Sequence, residues 1–493
     1  MKELQEYRGE WFSPKQQEIK IPGILIINQK ENEIKLTLFS ERDIAGEIIT
    51  EQGWEVINCC KIILGVTSKG DYITLYDHSG GEDGAPMLEQ SITNKFYESV
   101  YRPNFAFIGT HFYSTENIKF NSYSFRYNFL DSWIDTTQLF FYKTHSSQKD
   151  NVITIPYVPD TEFQIEKNCS VTISREFYSK GGLLLRNYDL EIKHYVNFNF
   201  DTPTSLQDYL NLSAKFRAFL TFAVGYPIST IDEFAITNST DEWHKGGGIE
   251  VFNTYSNQEI DNKRLFAHHM FFCSQHIRPE VLVNYLSNWF KNYDIYHSSI
   301  DIFLHAVLPF WKKGNTRLTN VQFTNGLLNI CQAIETFYNR DNEIDYSQNR
   351  KALNELKQKG YDKILKNKET LNFTDEELEF YNKYFKVPKQ VGDIDYKQKV
   401  MHYLNKLKVA LDGFINENEF EEFVKNIKDC RNTLTHVNHD GNIEEIYDLS
   451  YLFYHSQILF YAMIVNLIGI EQIEINKILK QSDKFRRYYK KMP

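Results

Sequence analysis

An arginine and a histidine five positions apart, in Arg431-Asn432-Thr433-Leu434-Thr435-His436, are the residues of this chain best suited to chemistry. An imidazole of ordinary basicity takes or gives a proton near neutral pH. A guanidinium neutralises an anionic oxygen, ideally through two parallel hydrogen bonds. Arg431 lies four residues after Ile427 and seven after Val424, so a helix carries its apolar face straight into the guanidinium. A cation turned toward a helical core is costly unless paired. The best-placed partner is Glu335, beside the inward face of an earlier helix. On a straight helix His436 would sit about 140° around from Arg431. Asn432 and Thr433 are weak helix formers, so the helix is expected to fray there and let the imidazole swing back over the guanidinium. The plainer alternatives are a structural ion pair for Arg431 and a surface histidine for His436.

Several helices must position these residues. Thr319-Asn-Val-Gln322 has capping-box form and opens a helix whose Phe323, Leu327, Ile330, Ile334 and Phe337 recur at steps of four and three. A polar, Lys-rich stretch follows from Asp341 to Glu369. Thr374-Asp-Glu-Glu377 is a second capping box, for a helix that Pro388 ends. One helix is expected over 397–414, and Asn418-Glu-Phe-Glu421 starts the next, with Phe420, Phe423, Val424 and Ile427 on one face. A turn at 438–442 precedes a long apolar helix over 443–470. Its greasiest run, 458–470, is shorter than the roughly 18 apolar residues of a membrane span and is read as buried.

The first 200 residues read as strands, among them Gly23–Asn28, Ile34–Phe39, Tyr72–Tyr76, Phe105–Phe112, Tyr123–Phe129, Val152–Ile155, Cys169–Ile173 and Leu190–Phe198. A sandwich or distorted barrel is expected. Residues 201–315 form a mixed α/β continuation, with helices over 205–224 and 278–310, a strand at 231–236 and a bend at Gly246-Gly-Gly248. Residues 316–493 are all helical, so the fold class is α+β.

Composition sets limits. The 493 residues carry a formal charge of -10, which leaves no protein-wide basic field and confines any nucleic-acid contact to a local patch. The 37 Phe and 32 Tyr are read mainly as core, with base-stacking platforms the sharper alternative for a few. The basic tail (Lys477, Lys480, Lys484, Arg486, Arg487, Lys490, Lys491) is a solvated helix end or an RNA-backbone contact, with Tyr488 and Tyr489 as stacking partners. Six cysteines form no CxxC pair, and the N-terminus has no signal-type apolar core, so a cytoplasmic protein with free thiols is expected. His269, Cys273 and His276, next to His268, could share a helix face, but no fourth metal ligand is evident and ordinary packing is the reading. His439 is read as a loop histidine. Gly246-Gly-Gly248 lacks the Lys-Ser/Thr of a phosphate loop, and there is no Gly-x-Ser-x-Gly elbow.

The stretch Arg431-Asn432-Thr433-Leu434-Thr435-His436 resembles the HEPN ribonuclease motif: Arg, a polar residue, a short spacer, then His. Its place at a helix end in an all-helical domain, with Glu335 on an earlier helix, strengthens the likeness. The wider chain resembles the ApeA family of bacterial anti-phage proteins, through Gly9-Glu-Trp-Phe-Ser-Pro14, Pro22-Gly-Ile-Leu25 and the strand pattern to Trp133. The resemblance implies a β-rich ApeA-type domain over 1–200 and a HEPN bundle over 316–493. It implies abortive-infection defence through metal-independent RNA cleavage, with no cofactor and Arg431, Asn432, His436 and Glu335 as the site. The implied partners are an RNA substrate (tRNA or another structured RNA), a second copy in a homodimer and an unidentified phage trigger, with no membrane. The N-terminal region would then be a sensor or restraint. The alternative is a non-catalytic HEPN module that binds RNA or a partner.

Overall fold

The fold is taken from a computed structural model. It describes residues 4–40, 49–50, 53–54, 61–78, 89–93, 96–134, 141–143, 152–154, 160–166, 168–180, 189–237, 248–255, 265–274, 277–313, 319–341, 346–371, 373–384, 395–435 and 448–489. The chain divides into two compact units, residues 1–291 with 482–484 and residues 292–481 with 485–493.

In the first unit, hydrogen bonding links fourteen antiparallel strands into one sheet, in place of the two separately bonded sheets of a sandwich. The order is Thr161–Glu166, Cys169–Lys180, Asp189–Ser205, Lys119–Tyr127, Thr230–Ile236, Ile249–Asn253, Pro103–Ile108, Tyr72–His78, Ile62–Thr67, Leu4–Ser13, Gln16–Asn28, Glu33–Ser40, Phe96–Tyr101 and Glu89–Thr93. The strands at 230–236 and 249–253 come from the stretch read as a middle region. They bridge Lys119–Tyr127 and Pro103–Ile108. Period-two patterning explains the sheet's inner face. In Gln16–Asn28 the buried residues are Ile21, Gly23, Leu25 and Ile27, alternating with more exposed neighbours. Ile21, Leu25 and Ile27 join Trp11, Leu36, Leu38, Ile73 and Leu75 in one core cluster.

Two helices of this unit are α1 (Leu130–Ile134) and α2 (Leu206–Val224). Ser205 caps α2 by accepting the Asp208 N–H at 3.3 Å. Gly225 ends it in the left-handed region at φ 72°, where a side chain would be strained. α2 lays Tyr209 and Phe216 on the sheet, against Phe125 (4.9 Å between ring centroids) and Tyr127 (5.5 Å). The helix α3 (Pro279–Lys313) has Pro279 in its first turn, as expected, and the unit boundary falls within it.

The second unit is helical: α4 (Asn320–Arg340), α5 (Tyr346–Lys366), α6 (Lys368–Leu371), α7 (Asp375–Tyr384), α8 (Tyr396–Lys406), α9 (Lys408–Leu411), α10 (Phe420–Thr435), α11 (Leu449–Leu467) and α12 (Gln472–Gln481). The two expected capping boxes form. Thr319 accepts from Gln322 N while its own N–H reaches Gln322 Oε1, and Thr374 and Glu377 do the same for α7. The single helix expected over 397–414 is instead two, because the chain leaves helical geometry at Leu407 (φ -112°, ψ 16°). The α10 segment also starts earlier than expected. Asn416, not Asn418, forms the capping box with Glu419 and opens a short turn of helix that leads into α10.

The apolar run of α11 is the axis of this unit, with every residue from Ser456 to Val465 buried. Phe453 crosses α4 at Gly326, where a Cβ would stand 2.4 Å from its ring. Phe460 packs on Phe303 and Phe337 at 4.5 and 6.0 Å. Among the described residues no helix is long and apolar enough to cross a membrane. The turn at 438–442 and Pro388 lie outside the described residues, as do His439, Gly246 and Gly247.

Candidate active site

Arg431 enters the site by the route its spacing implies. On α10 the residues Phe420, Phe423, Val424, Ile427 and Cys430 are buried, and Arg431 prolongs that stripe into partial burial. The expected ion pair is present: Arg431 Nη2 donates to Glu335 Oε2 at 2.7 Å, with the two side chains 30% and 29% exposed. A charged hydrogen bond of this length is strong. The guanidinium also lies over the Tyr396 ring, 4.7 Å from its centroid.

Glu335 does not serve Arg431 alone. Its other oxygen, Oε1, accepts from Lys399 Nζ at 3.0 Å, and the same ammonium donates to Asn339 Oδ1 at 3.1 Å and sits 5.6 Å from the Tyr338 ring. Lys399 is 5% exposed. Three helices therefore meet here: α4 supplies Glu335, Tyr338 and Asn339, α8 supplies Tyr396 and Lys399, and α10 supplies Arg431. A further bond, Lys428 Nζ to Asp395 Oδ2 at 2.8 Å, ties α10 to the residue capping α8. That bond to Lys428 holds the Asp395 carboxyl below its usual range.

Two neutral groups complete the wall. Burial keeps the Tyr396 phenol well above its usual pKa, so it offers the cation an uncharged ring face. Burial likewise pushes the Cys331 thiol up to about 11, which favours its neutral form. The cluster of Glu335, Arg431 and Lys399 carries one negative and two positive charges. It is a cationic site with a fixed guanidinium, suited to an anionic oxygen.

Asn432 is exposed on α10. α10 stays helical through Thr435, so the fraying expected at Asn432 and Thr433 does not occur there, and His436 is outside the described residues. Sequence reasoning missed Lys399, Tyr396 and Asn339. The signal for Lys399 was available, since Tyr396, Lys399, Val400 and Tyr403 are all buried on one face of α8, which a cation interrupts as Arg431 interrupts α10.

The remaining candidates resolve otherwise. The basic tail's Tyr488 stacks on Tyr454 at 4.3 Å, with Arg487 over both rings, and Lys480 lies over Tyr489, so the tyrosines considered as base platforms already pack within the protein. Cys273 turns its Sγ to the Trp133 carbonyl at 2.8 Å instead of joining a histidine set, and His276 is outside the described residues. The donors of His268, His269 and Asp483 lie within 4.8 Å of one another, a grouping the sequence spacing did not suggest. His269 Nδ1 there accepts the Phe266 backbone N–H at 3.2 Å. The described cysteines, 169, 273, 331 and 430, are buried and form no disulfide with one another.

Residues 6–289 match the family described as ApeA N-terminal domain 1, and residues 328–474 match the Apea-like HEPN family. The second match contains Glu335, Lys399, Arg431, Asn432 and His436. No significant match is found among curated proteins or solved structures. The first match alone spans more than half of the chain and coincides with the sheet-forming unit, while the second falls within the helical unit. The chain therefore belongs to the ApeA-like family of anti-phage proteins, and its helical unit carries an Apea-like HEPN domain.

Proposed function

We propose that this protein is a metal-independent endoribonuclease that defends a bacterial cell against phage by cutting RNA. The observation that carries the reading is the Arg431 guanidinium, fixed at the end of α10 by Glu335 at 2.7 Å, with the polar residue and the histidine of the motif following directly in the chain. In the reaction the 2′-OH of one nucleotide attacks the adjacent phosphorus and the 5′-oxygen of the next nucleotide leaves. His436 takes the hydroxyl proton or supplies one to the leaving oxygen, a role open to an imidazole near neutral pH. Arg431 neutralises charge gathering on the phosphorane oxygens. Asn432 orients the phosphate or the imidazole, and Glu335 holds Arg431. The products carry a 2′,3′-cyclic phosphate and a 5′-OH.

The substrate is a structured RNA such as tRNA. The working form is a cytoplasmic homodimer that brings two motifs into one cleft, and a phage component sensed through the N-terminal region releases the activity. The test is cleavage of total RNA in EDTA by wild type and by His436→Ala, with end-group analysis of the fragments. Cyclic-phosphate ends made by wild type and lost in His436→Ala support the reading. Normal cleavage by His436→Ala overturns it, and RNA binding with no cleavage by wild type makes the domain a binding module.

A further inference from the structure

A carboxylate 2.7 Å from a guanidinium cancels most of the charge that an anionic substrate would feel. Glu335 and Arg431 alone would make a neutral pair, well positioned but a poor receptor for a phosphodiester. The structure supplies a second cation on the other carboxylate oxygen, Lys399, nearly sealed from water and held by Glu335 and Asn339 together. Counting formal charges, Glu335, Arg431 and Lys399 sum to +1. Glu335 offers Oε1 to Lys399 and Oε2 to Arg431.

We infer that Lys399 is a positioning residue of the RNA site: its ammonium occupies Glu335 Oε1, so that Glu335 orients Arg431 without cancelling the positive charge that Arg431 presents to the phosphodiester. This rests on the ribonuclease reading above and adds a residue to it. Lys399 is itself buried and does not touch RNA. It acts on the substrate through Glu335.

A structural lysine and a charge-balancing lysine respond differently to a second substitution. If Lys399 balances Glu335, Lys399→Met drops the cluster to zero net charge, and adding Glu335→Gln returns it to +1. If Lys399 only packs the helices, the second substitution removes one more bond and makes matters worse. The test uses full-length protein and one RNA hairpin in two forms, unmodified for cleavage and 2′-O-methylated throughout, which has no attacking hydroxyl, for binding by fluorescence anisotropy. Removing a unit charge this close to a bound phosphate weakens binding and kcat/KM by roughly 10- to 100-fold at an effective dielectric near 20. Lys399→Met shows that loss, Lys399→Arg stays within about threefold of wild type, and the Lys399→Met/Glu335→Gln double variant binds at least about fivefold better than Lys399→Met. Lys399→Gln, which keeps a hydrogen-bond donor toward Glu335 but not the charge, stands in if Lys399→Met does not fold. A double variant that binds no better than the Lys399 single variant overturns the inference and leaves the ribonuclease reading intact. A wild type that neither binds nor cleaves the hairpin overturns both.

Discussion

Glu335→Ala tests the energetics of the site, because this one carboxylate holds two cations of unequal burial. The Lys399 side chain is 6% exposed and the Arg431 side chain 30%. Without Glu335 the ammonium keeps only Asn339 Oδ1 and the Tyr338 ring of the partners described above, in a place water hardly reaches. The guanidinium keeps the Tyr396 ring and access to solvent. Deleting one partner of a buried pair costs roughly 3–5 kcal/mol, whereas an exposed pair contributes roughly 0–1 kcal/mol. The loss on Glu335→Ala is therefore about 3–5 kcal/mol and comes mainly from stranding Lys399. Arg431→Ala leaves Glu335 satisfied by Lys399 and costs only about 1 kcal/mol. For a unit of this size each kcal/mol moves Tm by about 2–4 °C, giving a fall of roughly 6–20 °C for Glu335→Ala against about 2–4 °C for Arg431→Ala. Scanning calorimetry of the full chain, following the transition of the helical unit, reads both shifts. Equal shifts, or a Glu335→Ala shift under about 3 °C, would refute the division of energy argued here.

Three further outcomes are expected. His436→Ala lowers kcat for RNA cleavage by roughly 10²- to 10⁴-fold and Arg431→Ala by roughly 10²- to 10³-fold, while circular dichroism stays unchanged for His436→Ala; cleavage within about threefold of wild type by either variant contradicts the assigned roles. Gly326→Val forces a branched side chain against the Phe453 ring, where even a Cβ would come within 2.4 Å, and costs roughly 1–3 kcal/mol of overpacking; an unshifted Tm would show that α4 and α11 do not approach as described. In the N-terminal unit, burial holds the His111 imidazole below its usual 6.5, against the opposing pull of its bond to the Gly65 carbonyl. The unfolded chain then binds the proton more readily, so this stabilisation is full above pH 6.5 and is lost as pH falls through the depressed folded value. Urea midpoints at pH 7.5 and 5.5 should differ less for His111→Phe than for wild type, and an unchanged difference removes His111 from the acid response.

Local chemistry made much of the fold legible. Thr319 and Thr374 cap their helices because each has a Gln or Glu three residues on that can reach back to its N–H, a pattern needing no knowledge of the tertiary structure. The alternation in Gln16–Asn28 shows as plainly in the residues as in the burial. What could not be read was the pairing between distant strands. Ile249–Asn253 sits between Thr230–Ile236 and Pro103–Ile108, and no local signal says that residue 105 meets residue 253. The break at Leu407 was hidden for a related reason. Lys408–Leu411 has ordinary helix formers, and the chain turns there because Gln472 and Asn476 of α12 bond the carbonyls of Lys406, Ala410 and Asp412.

The site was half legible, and both halves follow one rule. A cation at an apolar position of an amphipathic helix must have an anion waiting for it, because burial without one is too costly. Applied to α10, the rule led from Arg431 to Glu335 across 96 positions of sequence. Applied to α8, it would have pointed to Lys399, whose neighbours Tyr396, Val400 and Tyr403 are buried just as Ile427 and Cys430 are beside Arg431. The two readings compete for one carboxylate when each cation is taken alone. They become compatible once Glu335 is seen to have two oxygens facing two helices. The shared anion leaves a surplus positive charge beside the motif, which a structural ion pair would not need and a site that grips a phosphodiester does.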